Sequence, residues 1–226
     1  MSNSLRIEFI ESDTPIEVRA TKFGGQPNWY EKPEWPISRE TNNPMRFICQ
    51  IELDEENFPG SKAKMAYLFM TDEEEYVDGT WEADGGENAI ILQPGTPKIP
   101  VIEMREGPTL RKYVEVSGYE RLQPFDVEYL VEFKTVCDDP YAPEETRSEW
   151  NDEQFGKYAS SLEGNKISGT PIFLQYDEFP EGESYQLLLQ LDSTQVPFDI
   201  NFGDAGIGYG FINKDGTTGK FLWQCA

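Results

Sequence analysis

The sequence predicts a mainly β protein of the α+β class, with internally duplicated antiparallel sheets and one or two helices. Two observations carry this prediction. The phrase Lys-x-x-Gly-x-Pro occurs at 22–27 and again at 166–171, and each copy leads to an apolar run that ends in Gln, an apolar residue and an acid, at 47–52 and 187–192. Most other apolar runs are short and lie between Gly and Pro, as strands do.

The first half of the chain supplies four or five of the predicted strands. Residues 5–10 and 14–20 are expected to be short edge strands, or a strand and its approach. Apolar and polar residues alternate over 47–53, which predicts a half-buried strand, and two further strands are expected over 64–71 and 89–93. This part of the chain therefore provides the first set of antiparallel strands.

The middle of the chain, over 96–137, has no counterpart in the other copy. Its alternating segment at 127–136 predicts a strand. Residues 144–162 carry aromatic and apolar side chains at helical spacing and end at Gly164, which predicts the clearest helix of the chain.

The second copy predicts three more strands, at 185–191, 208–212 and 220–225, the last two joined by a hairpin turn at 216–219.

The repeat also predicts the domain organisation. We expect residues 1–226 to form one domain made of two similar halves, about 1–110 and 111–226. The repeat cores are 22–93 and 166–225.

The composition argues against an enzyme. The chain has no histidine, the side chain that most often serves as a general base near neutral pH and as a metal ligand. Ser-His and Cys-His nucleophile systems cannot be built from these residues. We therefore predict a non-enzymatic protein with no catalytic residue, no metal and no cofactor.

The charge predicts the class of partner. There are 42 acids against 19 bases, which gives a net charge of −23. Such a field repels nucleic acid and anionic membranes and favours fast association with basic proteins, so we predict a basic protein partner and neither nucleic acid nor membrane. Solubility is the alternative reason for an acidic composition. The acids cluster beside Pro or Gly, in segments predicted to be exposed loops, at 52–56, 72–75, 138–149 and 177–183.

The cysteines and the chain start predict a cytoplasmic protein. Cys49, Cys137 and Cys225 lie far apart, which suits free and mostly buried thiols in a reducing compartment, with Cys49 in the core. The first residues lack the apolar segment of a signal peptide, and no apolar run is long enough to span a membrane.

Exposed aromatic residues are the candidates for partner binding. Trp29, Tyr30 and Trp35 lie in a Pro-rich stretch, and Trp81 lies beside a Gly-rich turn. Trp and Tyr contribute strongly to protein interfaces, so these four residues form the predicted partner-binding set. The alternative is that the tryptophans belong to the core.

Two aspartates are the candidates for ligand binding. Asp84 and Asp204 each lie in a Gly-rich turn after a repeated Gln strand, and a pair of carboxylates in one pocket can act as acid and base. Asp in such a turn also commonly bonds the local backbone, which is the alternative. The repeated Lys and Gln residues are predicted to be structural, satisfying backbone groups and carboxylates.

Taken in order, these phrases resemble the YwqG-like family, a bacterial group of unknown function that is distantly similar to the programmed-cell-death-protein-2 family. The resemblance covers most of the chain and implies an internally duplicated, mainly β fold. It rests on Lys22-Phe23-Gly24-Gly25-x-Pro27-x-Trp29, Trp35-Pro36, Pro44-Met45-x-Phe47-x-x-Gln50-Ile51, Leu187-Leu188-Leu189-Gln190-Leu191-Asp192-Ser193, Gly203-Asp204-Ala205-Gly206, Tyr209-Gly210-Phe211-Ile212 and Trp223-Gln224-Cys225.

The same resemblance bears on metal and function. Many relatives carry Cys-x-x-Cys where this chain has Ser38 and Thr41, so a zinc site is not expected here. Some relatives look like immunity proteins of toxin systems, and the eukaryotic ones look like chaperones for a basic ribosomal protein. We therefore predict an acidic protein-binding module, a monomer or dimer, that acts as an immunity protein or chaperone for a basic toxin or client. The alternative is a hydrolase-like or small-ligand-binding protein that uses Asp84 and Asp204.

Overall fold

Most of the regular secondary structure consists of β-strands. The structure is a computed structural model that describes residues 2–73, 75, 77–117, 121–182 and 184–226. The predicted mainly β, antiparallel class with few helices is confirmed. The strands are β1 (Ser2–Glu11), β2 (Lys22–Gly24), β3 (Trp35–Pro36), β4 (Arg46–Glu52), β5 (Met65–Met70), β6 (Asn88–Gln93), β7 (Val101–Ile102), β8 (Arg111–Val114), β9 (Gln123–Asp126), β10 (Glu128–Asp138), β11 (Lys166–Ile167), β12 (Tyr185–Asp192), β13 (Ile207–Asn213) and β14 (Gly219–Gln224). The helices are α1 (Glu144–Arg147) and α2 (Asp152–Leu162), and a 3₁₀ turn spans Ser193–Gln195.

Within the described residues, ten of these strands form one antiparallel sheet in the order β14-β13-β12-β11-β1-β10-β2-β4-β5-β6. The long pair β1–β10 lies at its centre, in register from Ser2 opposite Asp138 to Glu11 opposite Tyr129. The first repeat copy supplies the four strands on one side of this pair, and the second copy supplies the four on the other side. The sheet curves until β6 contacts β14, so it is nearly closed.

The main core fills the concave face of this sheet and draws on both halves. Strands of the two copies alternate apolar residues toward it, and its fully buried members include Ile51, Leu68, Leu189 and Leu191. Because β1 and β10 also contribute to this cluster, the two copies share one core.

Each half also carries an apolar cluster on its convex face. In the first half this cluster is built on Phe47, Tyr67 and Phe69, and in the second half on Tyr209 and Phe211. The strand predicted as half-buried at 47–53 therefore has both faces covered, and six of the seven residues of β4 are buried. That prediction was wrong because loops cover the convex face of the sheet.

Two other predicted elements are corrected. The first strand is central and runs over Ser2–Glu11, and 14–20 contains no strand, which excludes the prediction of two edge strands and leaves a strand and its approach. The predicted helix at 144–162 is interrupted after Arg147 and begins again at Asp152. Asn151 caps the second helix, since its side chain accepts from the N–H of Gln154 and its own N–H donates to that glutamine's side chain.

The cysteines follow the prediction only in part. Cys49 is buried in the core, as expected, and all three thiols are free. Cys137 is exposed on β10 and Cys225 is half-buried, so the expectation of mostly buried thiols was wrong. The two helices in the described part of the chain are short, and no helix there is long and apolar enough to cross a membrane.

Candidate functional site

The repeated glutamine begins a row of polar side chains that holds a loop on the convex face of the first half. We call residues 28–34 the first strap. Its N–H groups donate, in chain order, to Gln50 at 2.8 Å, to the hydroxyl of Tyr67 at 2.6 Å and to Gln93 at 3.0 Å. Its C=O groups accept from Tyr67 at 3.1 Å and from Gln93 at 2.8 Å. Burial of Tyr67 raises the pKa of its hydroxyl well above the usual range.

The second half repeats most of this row. Residues 172–178 form the second strap, which donates N–H groups to Gln190 at 3.0 Å and to Gln224 at 3.1 Å. Its C=O groups accept from Tyr209 at 2.9 Å and from Gln224 at 3.0 Å. The prediction that the repeated glutamines satisfy backbone groups is confirmed at both positions. The rows use buried donors and acceptors that would otherwise lack partners, so they are structural.

The two repeated lysines are also structural. Lys22 pairs with Glu128, and Lys166 pairs with Asp138 at 2.9 Å. Each ammonium also donates to the backbone C=O four residues later in the chain. Burial is the main reason that both lysine pKa values are lowered, to about 8 for Lys166. The acids lie at the two ends of β10, so one strand anchors the lysines of both halves.

Two glycines leave room for these ion pairs. Gly25 and Gly169 adopt φ values of 61° and 84°, in the left-handed region that favours glycine. A Cβ at Gly25 would overlap the Glu128 carboxylate, and one at Gly169 would overlap that of Asp138. The glycine of the repeated phrase is therefore explained by the carboxylate that approaches the backbone.

The structure places the predicted partner-binding tryptophans in the core. Trp29 and Trp35 are both buried, Trp35 completely, and their rings lie 6.2 Å apart in the convex-face cluster. Their indole N–H groups donate to Arg105 O at 3.1 Å and Met45 O at 2.8 Å. The prediction that they contact a partner is therefore corrected to the alternative, a core role, because neither ring is accessible.

The other two aromatic candidates are exposed. Tyr30 lies on the outer side of the first strap, with the guanidinium of Arg19 5.0 Å from its ring centre. Trp81 lies in the turn region before β6, and its C=O accepts from the N–H of Trp223 at 3.3 Å. Both are accessible to a partner, and their role stays a prediction.

The two aspartates occupy exposed turns. The side chain of Asp84 is 80% exposed and pairs with Lys220. Asp204 is exposed in the turn before β13, where its C=O accepts from the N–H of Ala226 at 3.0 Å. Their joint use as a ligand-binding pair stays a prediction.

The positions of the relatives' Cys-x-x-Cys pair hold hydroxyl groups that are already bonded. Ser38 donates to the buried carboxylate of Glu87 at 2.6 Å, and Thr41 donates to Glu73 at 3.0 Å. Glu87 also accepts from Thr71 at 2.7 Å. No group of three or more Cys, Asp or Glu residues in the described part of the chain is arranged to hold a metal. These residues do not fit the thiolate site of the relatives.

An acidic cleft of about 820 Å³ lies beside this position. It is lined by Glu40, Glu73, Glu75 and Asp78, together with Thr41, Asn43 and Val77. Glu73 accepts from Asn43 at 2.8 Å, which fixes one carboxylate at the rim. The acid cluster predicted at 72–75 therefore forms part of a concave surface, although Glu74 lies outside the described residues, as does Glu183 of the cluster at 177–183.

Four of the six side chains in the two rows do not follow from the repeated phrase. Tyr67 and Tyr209 lie in predicted apolar strands, and Gln93 and Gln224 lie at strand positions that the phrase does not include. These residues also repeat between the halves, but at spacings that differ from that of the lysines. The tyrosines are 142 residues apart and the glutamines 131, whereas the lysines are 144 apart. Loops of different length between the strands produce these shifts.

Comparison with known proteins identifies the family of this chain. No curated protein matches the chain. The family model described as "Domain of unknown function (DUF1963)" matches residues 21–220, which include both lysines and both straps. The chain therefore belongs to the DUF1963 family.

Proposed function

We propose that this protein is a non-enzymatic binding module that uses its acidic surface to hold a basic protein partner. Within DUF1963 we place it among the YwqG-like proteins, on the motifs given above. By that resemblance, the partner is a cationic toxin domain that the protein neutralises, or else a basic client that it chaperones.

The observation that carries the proposal is a large surplus of carboxylates over cations at the surface. The sequence has 42 acids, and the ion pairs among the described residues engage eight carboxylates, those of Glu11, Asp72, Asp84, Glu128, Asp138, Asp177, Asp199 and Asp215. A surplus of this kind produces a negative potential that speeds encounter with a basic partner and selects against acidic ones.

The acidic cleft is a concave part of this surface that is large enough to receive a side chain. Glu40, Glu73 and Glu75 are exposed at its rim and form no ion pair with any residue that the structure describes, so a lysine or arginine can approach them directly. Charge-assisted hydrogen bonds to carboxylates are roughly twice as strong as neutral ones. The cleft therefore suits a cationic side chain of the partner.

The test uses a basic protein recovered with the tagged chain from its own cells and then purified. We expect its affinity to fall steeply as salt is raised from about 50 to about 300 mM, because screening weakens surface electrostatics. Failure to recover a protein partner, or an affinity that does not change with salt, would contradict the proposal.

A pair of variants with equal charge separates a specific cleft from a general field. The variant E40Q/E73Q/E75Q removes three charges from the cleft. The control E52Q/E55Q/E56Q removes three from the last residue of β4 and the loop that follows it, at the opposite end of the β4–β5 pair. We expect about a tenfold weaker affinity for the cleft variant, or about 1.4 kcal/mol, and at most about a twofold change for the control. Equal losses would show that net charge, and not the cleft, determines binding.

The alternative predicted from the sequence, a carboxylate pair of Asp84 and Asp204, requires both aspartates in one pocket. Asp84 is held by Lys220, and Asp204 lies on an exposed turn. We therefore give the binding module preference and leave the pair as a prediction.

A further inference from the structure

The two halves differ most clearly in what covers the strap. In the first half, the stretch after β6 returns over the convex face, and Ile99, Val101 and Met104 pack against the cluster that contains Trp35. We call residues 96–108 the cover segment. Its strand β7 pairs with β3, with Ile102 opposite Trp35 and Val101 opposite Pro36.

Side-chain hydrogen bonds attach the cover segment further. Gln26 donates to Gly107 O at 3.0 Å and accepts from Gly107 N at 2.8 Å, and Trp29 donates to Arg105 O. The cover therefore binds as an extended peptide, through one short strand pairing, a few apolar side chains and backbone hydrogen bonds.

In the described part of the chain, the second half has no strand that pairs beside its strap as β7 pairs with β3. Phe173 and Phe179 stand at the positions equivalent to Trp29 and Trp35, 144 residues later. Phe179 packs 5.7 Å from Phe211, as Trp35 packs 5.2 Å from Phe69. Phe179 is nevertheless 38% exposed, whereas Trp35 is 0% exposed. The segment 141–147 contacts the second strap instead. Tyr141 packs on Phe179, and Tyr141, Glu144 and Arg147 all bond the carboxylate of Asp177, but this segment leaves part of Phe179 exposed.

Neighbouring side chains extend this uncovered surface. Leu174 and Tyr176 of the second strap are exposed, and Tyr141 contacts Phe179 edge-on at 5.1 Å. Tyr141 is held in place by its hydroxyl, which donates to Asp177 at 2.5 Å. Four large apolar or aromatic side chains are thus exposed on or beside this strap, an arrangement that marks interaction sites on soluble proteins. Leu174 and Tyr176 stand at the positions of Tyr30 and Lys32, which are exposed in the first half as well, so Phe179 is the residue whose exposure differs between the halves. We call Tyr141, Leu174, Tyr176 and Phe179 the uncovered face.

We infer that the uncovered face docks an extended segment of the basic partner protein. The first half defines the form of this segment, with apolar side chains spaced as Ile99 and Val101 are in the cover segment. The segment is expected to be basic, because Glu178 and Glu181 flank Phe179 in the sequence and the chain has a net charge of −23. The inference rests on the proposed function and adds the part of the partner that is recognised.

The probe is a capped peptide that copies residues 98–107 of the cover segment, with E103K and E106K to make it basic. Its affinity is measured by calorimetry, and its position by amide chemical shifts. We expect binding that perturbs the amides of 174–179. A scrambled peptide of the same composition serves as the probe control and should bind at least about tenfold more weakly.

Two tyrosines provide a matched pair of protein variants. Tyr176 is 52% exposed on the uncovered face, and Tyr113 is 46% exposed on β8. Y176D should weaken the peptide by about tenfold or more, and Y113D should change its affinity by less than about twofold. L174S gives a second variant of the uncovered face if Y176D lowers the unfolding midpoint.

Each other outcome overturns the inference. Equal binding of the scrambled peptide, or equal losses in Y176D and Y113D, removes the uncovered face as a docking site. A dimer that Y176D disperses identifies a second copy of this chain as the occupant. If the purified basic partner binds in a salt-dependent way but is unaffected by Y176D, only this inference fails. If that affinity is independent of salt, the proposed function fails instead.

Discussion

Gln190→Met removes the central anchor of the second strap while keeping the volume of the side chain. Gln190 is completely buried and makes three hydrogen bonds of 3.0 Å: it accepts from the N–H of Ile172 and donates to the C=O groups of Leu162 and Gly164. The hydrogen bonds to Ile172 and Leu162 are buried, so water cannot replace the glutamine as the partner of these backbone groups. A buried backbone group without a partner costs about 1–3 kcal/mol, so we expect a loss of about 3 kcal/mol in the free energy of unfolding.

The same strand offers a matched control. Gln186 also lies on β12, but among the described residues its amide nitrogen is buried without a hydrogen-bond partner. Gln186→Met should therefore change the free energy of unfolding by less than about 0.5 kcal/mol. Gln50→Met, which removes two partly buried bonds from the first strap, should fall between the two variants, near about 2 kcal/mol.

Urea denaturation measures these differences, provided that the dependence on urea concentration stays the same among the variants. For a chain of this size, about 3 kcal/mol corresponds to a melting temperature lower by about 6–12 °C. A loss of less than about 1 kcal/mol in Gln190→Met, or a loss equal to that of Gln186→Met, would refute the reasoning that the row of side chains holds the strap.

Two further predictions concern the buried ion pair. Gly169→Ala should destabilise the fold by at least about 2 kcal/mol more than Gly60→Ala, as measured by urea denaturation. Both glycines have positive φ, 84° and 80°, but a Cβ at Gly169 overlaps the Asp138 carboxylate, whereas one at Gly60 meets nothing within 4 Å. Equal losses in the free energy of unfolding for the two variants would contradict this explanation. The second prediction concerns pH. Burial lowers the pKa of Lys166 from 10.5 to about 8, so between these values the unfolded chain binds more protons and stability at this site rises with pH. From pH 7.5 to 9.5 the free energy of unfolding of the wild type should rise by about 2 kcal/mol relative to that of Lys166→Met. A Lys62→Met variant, whose lysine is exposed, should show the same pH dependence as the wild type. A fall in the free energy of unfolding of the wild type relative to Lys166→Met would contradict the lowered pKa of Lys166.

The repeat in the sequence predicted the parts of the fold that both copies encode. The Lys, Gly and Gln positions of the phrase correspond to an ion pair, a close backbone approach and a strap anchor in each half. These features could be predicted because each depends on residues close together in sequence or repeated at a constant spacing. The same reasoning located β4, β5, β6, β12, β13 and β14.

The unrepeated middle of the chain accounts for what could not be predicted. It supplies Glu128, which pairs with Lys22, and the residue directly after it is Asp138, which pairs with Lys166. It also supplies the cover segment, which buries Trp35. Whether an aromatic residue is exposed depends on such a distant segment and not on its own neighbours. For this reason Trp35 was predicted at a partner surface, and Phe179, which is exposed, was not.

The central claim is that this protein holds a basic partner through its acidic cleft and its uncovered face. Hydrogen–deuterium exchange of the chain, with and without the purified basic partner, tests both surfaces in one experiment. We predict slower exchange at 40–43 beside the cleft and at 174–179 on the uncovered face, with no change in the β4–β5 loop at 53–64. Unchanged exchange at both surfaces in a complex that has formed would contradict the claim.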